Sequence, residues 1–164
     1  AEALNRMLGQ ATEHKDYVYG IQTSLNVHYG APYPIRSIRS KQYKFIHNIY
    51  AEGAFSNILT QGAWFKDELK AERAINKSNY ARYATSPEFE FYDIIKDPFE
   101  QVNIIDQPQY KDEIITLKSH LSNWMAQQGD LGLETEMVAV IEKDFRIEDA
   151  LNNDRLKTLI KKST

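Results

Sequence analysis

Glu90-Phe91-Tyr92-Asp93-Ile94-Ile95-Lys96-Asp97-Pro98-Phe99-Glu100-Gln101-Val102-Asn103 is the stretch whose reading decides the fold. Phe89, Phe91 and Asp93 alternate with Glu90, Tyr92 and Ile94, the two-residue period of a strand over Glu88 to Ile94. Asp97-Pro98 then marks a tight turn, because proline fixes φ and the aspartate before it can accept backbone amide bonds. Glu100 and Asn103 can satisfy loose backbone groups as the chain swings out. Asp97 and Glu100 resemble a carboxylate pair for acid–base work, but their setting favours a structural turn.

An amphipathic helix follows Pro108. Tyr110, Ile114, Leu117, Leu121 and Trp124 recur at steps of four, three, four and three, which makes one apolar stripe. Gly129 supplies its stop. So narrow a stripe needs one flat surface to cover, and a sheet provides it. Working outward, Ile35-Arg36-Ser37-Ile38-Arg39 and Tyr43-Lys44-Phe45-Ile46-His47 alternate around Ser40-Lys41-Gln42, a hairpin with Tyr43, Phe45 and His47 on one face. Tyr17 to Gln22 reads as a further short strand. The expected fold is α+β: a small antiparallel sheet of three to four strands covered by a C-terminal amphipathic helix.

The rest is less regular. Residues Ala1 to Gly9 read as a helix, Ser24 to Pro34 as a loop, Ala51 to Gly62 as an irregular insertion, and Ala63 to Ile75 as a helix. Beyond Asp130, Glu134 to Ile141 is expected to extend as a strand. Phe145 to Lys162 reads as a charged helix, with Asp144 as its cap.

Composition excludes several functions. The chain has 164 residues, 42% of them hydrophobic, enough for one compact domain. Its 20 basic and 23 acidic residues leave a charge of -3, with no electrostatic footprint for nucleic acid. The absence of cysteine excludes disulfides, thiolate zinc sites and cysteine nucleophiles, and fits reducing and oxidising compartments alike. No apolar run reaches the length of about 18 residues that a membrane helix needs. A start at Ala1, without methionine or a secretion signal, reads as a piece cut from something longer.

His14, His28, His47 and His120 show no metal-ligand spacing within one element. His28 lies beside Tyr29 in the Ser24–Pro34 loop, where it can contact a polar ligand or simply face solvent. Arg36, Arg39, Lys41 and Lys44 form a basic cluster. Arginine's planar fork suits sulfate or carboxylate, so Arg36 either binds an anionic sugar or pairs with a buried acid. Lys41 and Lys44 read as a solvated face. No Ser/His/Asp arrangement or glycine-rich phosphate loop is visible, so the chain offers no complete catalytic site.

In this order of segments the chain resembles the C-terminal subdomains of sulfatases. Tyr92-Asp93, Asp97-Pro98, Glu100 and Asn103 stand at that family's spacing. Tyr17 to Thr23, Tyr33 to Arg39 and Tyr43 to Asn48 precede them in its order. Within the family it is most similar to the sulfamidases, or heparan N-sulfatases. Gly20-x-Gln22, Tyr33-Pro34-x-Arg36-Ser37, Ile46-His47-Asn48 and Trp64-Phe65-Lys66-Asp67 carry that likeness. It covers roughly Lys15 to Gly129, and the tail from Leu131 has no counterpart. Ile21-Gln22-Thr23 departs from the acidic residue and histidine often found there, and Phe91 replaces a usual leucine.

The resemblance implies residues 1–14 as the end of a helix or linker, 15–129 as the sulfatase C-terminal subdomain and 130–164 as a helical extension. It implies a parent enzyme that hydrolyses sulfate esters or sulfamates of glycosaminoglycan sugars. An alkaline-phosphatase-like N-terminal domain would hold calcium and a formylglycine made from cysteine or serine. Hydrated formylglycine attacks sulfur there, and the cation stabilises the developing charge. No catalytic or metal residue of that kind stands in this chain, so the fragment alone is expected to be inactive. Gln22, Thr23, His28 and Arg36 are the expected substrate-facing residues. The expected partners are the N-terminal sulfatase domain and a sulfated glycan, with no nucleic acid or membrane, in an exported location. A face of the sheet or the Ser24–Pro34 loop is further expected to expose apolar, tyrosine-rich surface that the partner domain covers. The alternatives are a stand-alone binding module for sulfated carbohydrate and a sulfatase branch that cleaves esters at a sugar oxygen.

Overall fold

The computed structural model describes residues 15–23, 32–53, 55, 60, 62–75, 81, 85–143, 154, 157 and 158. Strands β1 (Val18–Gln22), β2 (Ile35–Arg39), β3 (Tyr43–Asn48) and β4 (Phe89–Asp93) form one antiparallel sheet in that order. Helix α1 is Ala63–Ile75, α2 is Lys111–Gln127 and α3 is Leu133–Lys143.

Register explains the core. Tyr19, Ile38, Phe45 and Phe91 stand side by side across all four strands. Ile38, Phe45 and Phe91 are buried, and α2 lays Leu117 and Leu121 against them. Tyr110, Ile114 and Trp124 pack at the margin, so the stripe read from the sequence is the contact face. Trp124 stacks on Tyr19 at 4.7 Å, and Tyr43 on Phe91 at 5.2 Å. Such pairs add about 0.5–1.5 kcal/mol each beyond area burial. The expected α+β layering is therefore present, with four strands.

Helix α2 ends as its glycine requires. Gly129 has φ 69, its N–H donates to the Ala126 carbonyl, and the Asp130 N–H donates to Met125 at 2.9 Å. This is the Schellman pattern, which satisfies carbonyls left open at a helix end.

The strand expected over Glu134 to Ile141 is a correction: these residues lie in helix α3. Leu133 and Met137, four apart, are both buried on one helical face. Glu134 and Glu136 sit in the first turn, where the helix dipole favours carboxylates. The Leu131 N–H donates to the Thr135 hydroxyl at 2.8 Å, and Gly132 takes φ 68 just before the helix. The β-branched Val138, Val140 and Ile141 imitated a strand by residue type. The helix expected at 1–9, the Asp144 cap and His28 with residues 24–31 lie outside the described residues, as does most of 145–162.

Candidate functional site

Asp93 organises the turn after β4. Its Oδ1 accepts the N–H of Ile95 at 3.2 Å and of Lys96 at 3.1 Å, and its Oδ2 accepts the Gln42 amide at 3.0 Å. Burial pushes the Asp93 pKa up. The Gln42 amide, the Lys96 and Ile95 N–H groups and the Lys96 ammonium pull it down further, so the net is below the usual value. Asp97 accepts the Val102 N–H at 2.8 Å. Asn103 accepts the Phe91 N–H at 2.9 Å and donates to the Phe89 carbonyl, so it pairs with the free edge of β4. Glu100 has φ 53, and its carboxylate takes the Lys44 ammonium at 2.7 Å. Asp97 and Glu100 are thus turn-builders bound to backbone and lysine.

Arg36 lies under the other end of the sheet and is almost fully buried. Its Nε donates to Asp130 Oδ2 at 2.5 Å, and one terminal nitrogen donates to Asp130 Oδ1 at 3.3 Å and Glu136 Oε1 at 2.8 Å. The other terminal nitrogen donates to the carbonyls of Gln22 at 3.0 Å and Ile35 at 3.1 Å. Burial alone lowers the Arg36 pKa; the two carboxylates more than offset this and raise it. Burial likewise raises Asp130, while Arg36 and the Gly132 N–H bring it below its ordinary value. Of the two readings of Arg36, pairing with buried acids is the one the geometry displays.

Gln22 and Thr23 end β1 and are half-buried. The Gln22 amide donates to the Tyr33 carbonyl at 3.4 Å. Its side chain lies on the sheet face opposite Arg36, since Gln22 pairs with Ile35 and the strand alternates. Gln22, Thr23 and Arg36 therefore meet at one corner, joined through the Gln22 backbone. Sequence reading missed Asp130 and Glu136 as the partners, and no local spacing could have shown them.

The face away from α2 carries an open cleft of about 490 Å³, floored by Ile35, Ile46 and Tyr33 and edged by Gln22, Ser37 and Asn48. Gly20 leaves room here for the Ser37 side chain: a Cβ would sit 2.5 Å from its hydroxyl. The Asn48 amide donates to the Pro87 carbonyl and to Glu90, both at 2.7 Å, and Glu90 also takes the Tyr92 hydroxyl. Among the described residues the buried Tyr33 hydroxyl has no hydrogen-bond partner. Burial raises its pKa and the Glu90 charge adds to this, while Ser86 lies near enough to work against the rise without bonding geometry. A second hollow of about 750 Å³ lies beside His47, Glu52, Glu88 and Glu134. Burial lowers the His47 pKa, against the opposing charge of Glu88 at 3.7 Å. Among the described residues no group of three His, Cys, Asp or Glu side chains could hold a metal ion.

No protein-family model matches the chain. It is 32% identical over 132 residues to an ulvan-active sulfatase of Formosa agariphila, covering 80% of this chain and 25% of that one. A second ulvan-active sulfatase of that organism is 30% identical over 104 residues, covering 58% of this chain and 17% of that one. The chain thus spans a quarter or less of the length of these curated relatives. Among solved structures, a 2-O GAG sulfatase overlays at a TM-score of 0.47 with 17% identity, over 77% of this chain and 20% of that one, too loosely to bear on function. No helix among the described residues is long and apolar enough to cross a membrane. Over four-fifths of its length this chain is related in sequence to a sulfatase.

Proposed function

We propose that this chain is the non-catalytic C-terminal subdomain of an exported sulfatase that removes sulfate from sulfated glycan sugars. The observation that carries the reading is the 32% identity over 132 residues to a sulfatase of which they are only a quarter. The chemistry, with its calcium and formylglycine, is assigned to the remainder of such an enzyme. The open sheet face and its cleft, floored by Ile35, Ile46 and Tyr33, are assigned to contact with that catalytic domain. Gln22 and Thr23 are assigned to the pocket rim.

The sulfamidase branch is the finer proposal, and the relatives bear only on the coarser one. Gln22, Arg36 and Asn48, which carry the sulfamidase likeness, make contacts that build the sheet corner and the cleft wall. Sulfate ester and sulfamate are therefore separated by product analysis: the longer enzyme is incubated with defined heparin disaccharides, and loss of N-sulfate identifies a sulfamidase. The 164-residue chain alone is expected to release no sulfate from a sulfated aryl ester, and measurable turnover overturns the assignment. A stand-alone module for sulfated carbohydrate needs cations turned outward. Arg36 is spent internally and Lys44 is held by Glu100, which leaves Arg39 and Lys41 as the exposed members of the basic cluster and takes from that reading the arginine it relied on. Salt-sensitive binding of heparin oligosaccharide by the chain would revive it.

A further inference from the structure

The Arg36 guanidinium has five N–H donors, and the five hydrogen bonds it makes can use all of them. Those bonds reach separate parts of the chain: the end of β1 at Gln22, the start of β2 at Ile35, and the segment Asp130–Glu136 that follows α2. The acids are themselves fixed. Asp130 Oδ1 also accepts the Gly132 N–H at 2.8 Å, and the Asp130 N–H is tied to Met125 in the helix stop. Leu133 and Met137 are buried on either side of Glu136, which anchors the start of α3.

We infer that Arg36 is a positioning residue through which the Asp130–Met137 segment sets where β1 ends, and with it the place of Gln22 and Thr23. The guanidinium acts as a rigid plate between the acids and the Gln22 carbonyl. A lysine, with a single mobile ammonium, cannot hold three segments at once. Neutralising either acid leaves the plate under-held on one side, so the Gln22 carbonyl loses its fixed donor while β3 and β4 keep their own ladder. The inference rests on the proposed function only for the meaning of the rim; the coupling itself concerns this chain alone.

The test is amide hydrogen exchange on the 164-residue chain, comparing Glu136→Gln, Asp130→Asn and Arg36→Lys with the parent sequence. Exchange at Gly20 and Gln22, whose N–H groups face β2 in this register, is expected to rise about tenfold in each variant, with less than about twofold change at Phe45 and Phe91. Glu136→Gln keeps the shape and one acceptor, so it reports even if the other variants unfold. Unchanged exchange at β1, or an equal rise in all four strands, overturns the inference. Failure to find sulfatase activity in a longer protein carrying this chain would leave the exchange result intact and would count against the proposed function alone.

Discussion

The turn after β4 and the clamp on Arg36 are both polar knots, yet they work over opposite ranges. In the turn, Asp93 bonds residues two and three positions on, and Asp97 a residue five positions on. In the clamp, Arg36 reaches acids 94 and 100 positions away. The first knot gives mostly neutral donors to one buried carboxylate, Asp93. The second removes an ion triad from water, where the desolvation cost is recovered only if every partner stays. A local knot shapes one corner; a long-range knot joins the first two strands to the segment that follows α2.

That contrast is broken most directly at Arg36. Arg36→Ala leaves Asp130 and Glu136 buried without a counter-charge, and a loss of about 3–5 kcal/mol in urea unfolding is expected. A loss below about 1 kcal/mol would mean that water reaches the acids and the clamp is ornamental. Asp93→Ala comes next. It removes the acceptor for two backbone N–H groups and the Gln42 amide, for an expected loss of about 2–3 kcal/mol by the same measurement. If Asp93→Ala cost more than Arg36→Ala, the ranking of the two knots would be reversed.

The pH dependence separates the groups by sign. Burial lowers the His47 pKa in the fold, so the native state disfavours its protonation. Its contribution is complete above the unfolded value of about 6.5 and falls as pH drops below it toward the folded value. Asp93 and Asp130 are also depressed, but as acids. Their contribution is present above about 3.9 and is lost as pH falls through their folded values. Stability followed from neutral to acid pH should therefore decline in two windows, and His47→Phe should flatten only the upper one. A single decline confined to the lower window would show that His47 is hydrated.

The smallest effect is expected at Glu100. Its φ of 53 favours glycine, while its partly exposed bond to Lys44 favours glutamate. Strain relief of about 1–3 kcal/mol is offset by the extra chain freedom glycine loses on folding and by the ion pair, each about 1 kcal/mol or less. Glu100→Gly should shift the unfolding midpoint by no more than about 0.5 kcal/mol equivalent. A larger destabilisation would make Lys44–Glu100 part of the turn's support.

Legibility in the sequence followed range. The row Ile38, Phe45 and Phe91, the Leu117–Leu121 stripe and the Gly129 stop all declared themselves by period or by residue type, because their partners are fixed by local geometry. Asp97, Glu100 and Asn103 likewise declared a turn. Arg36 showed only that it wanted an anion. Which anions it took depended on Asp130 and on α3, whose β-branched Val138, Val140 and Ile141 looked like a strand. Tyr33's buried hydroxyl and the cleft above Ile35 and Ile46 had no signal at all, since both arise from packing between distant segments.

The central claim is that this chain is the unreactive part of a larger sulfatase. It is tested most directly by reading the gene upstream of Ala1 and sizing the natural protein with an antibody raised against this chain. A Cys-x-Pro-x-Arg or Ser-x-Pro-x-Arg segment in the same reading frame, on a protein several times longer than 164 residues, is the predicted result. A natural protein of this length, with no such segment in frame, would contradict it.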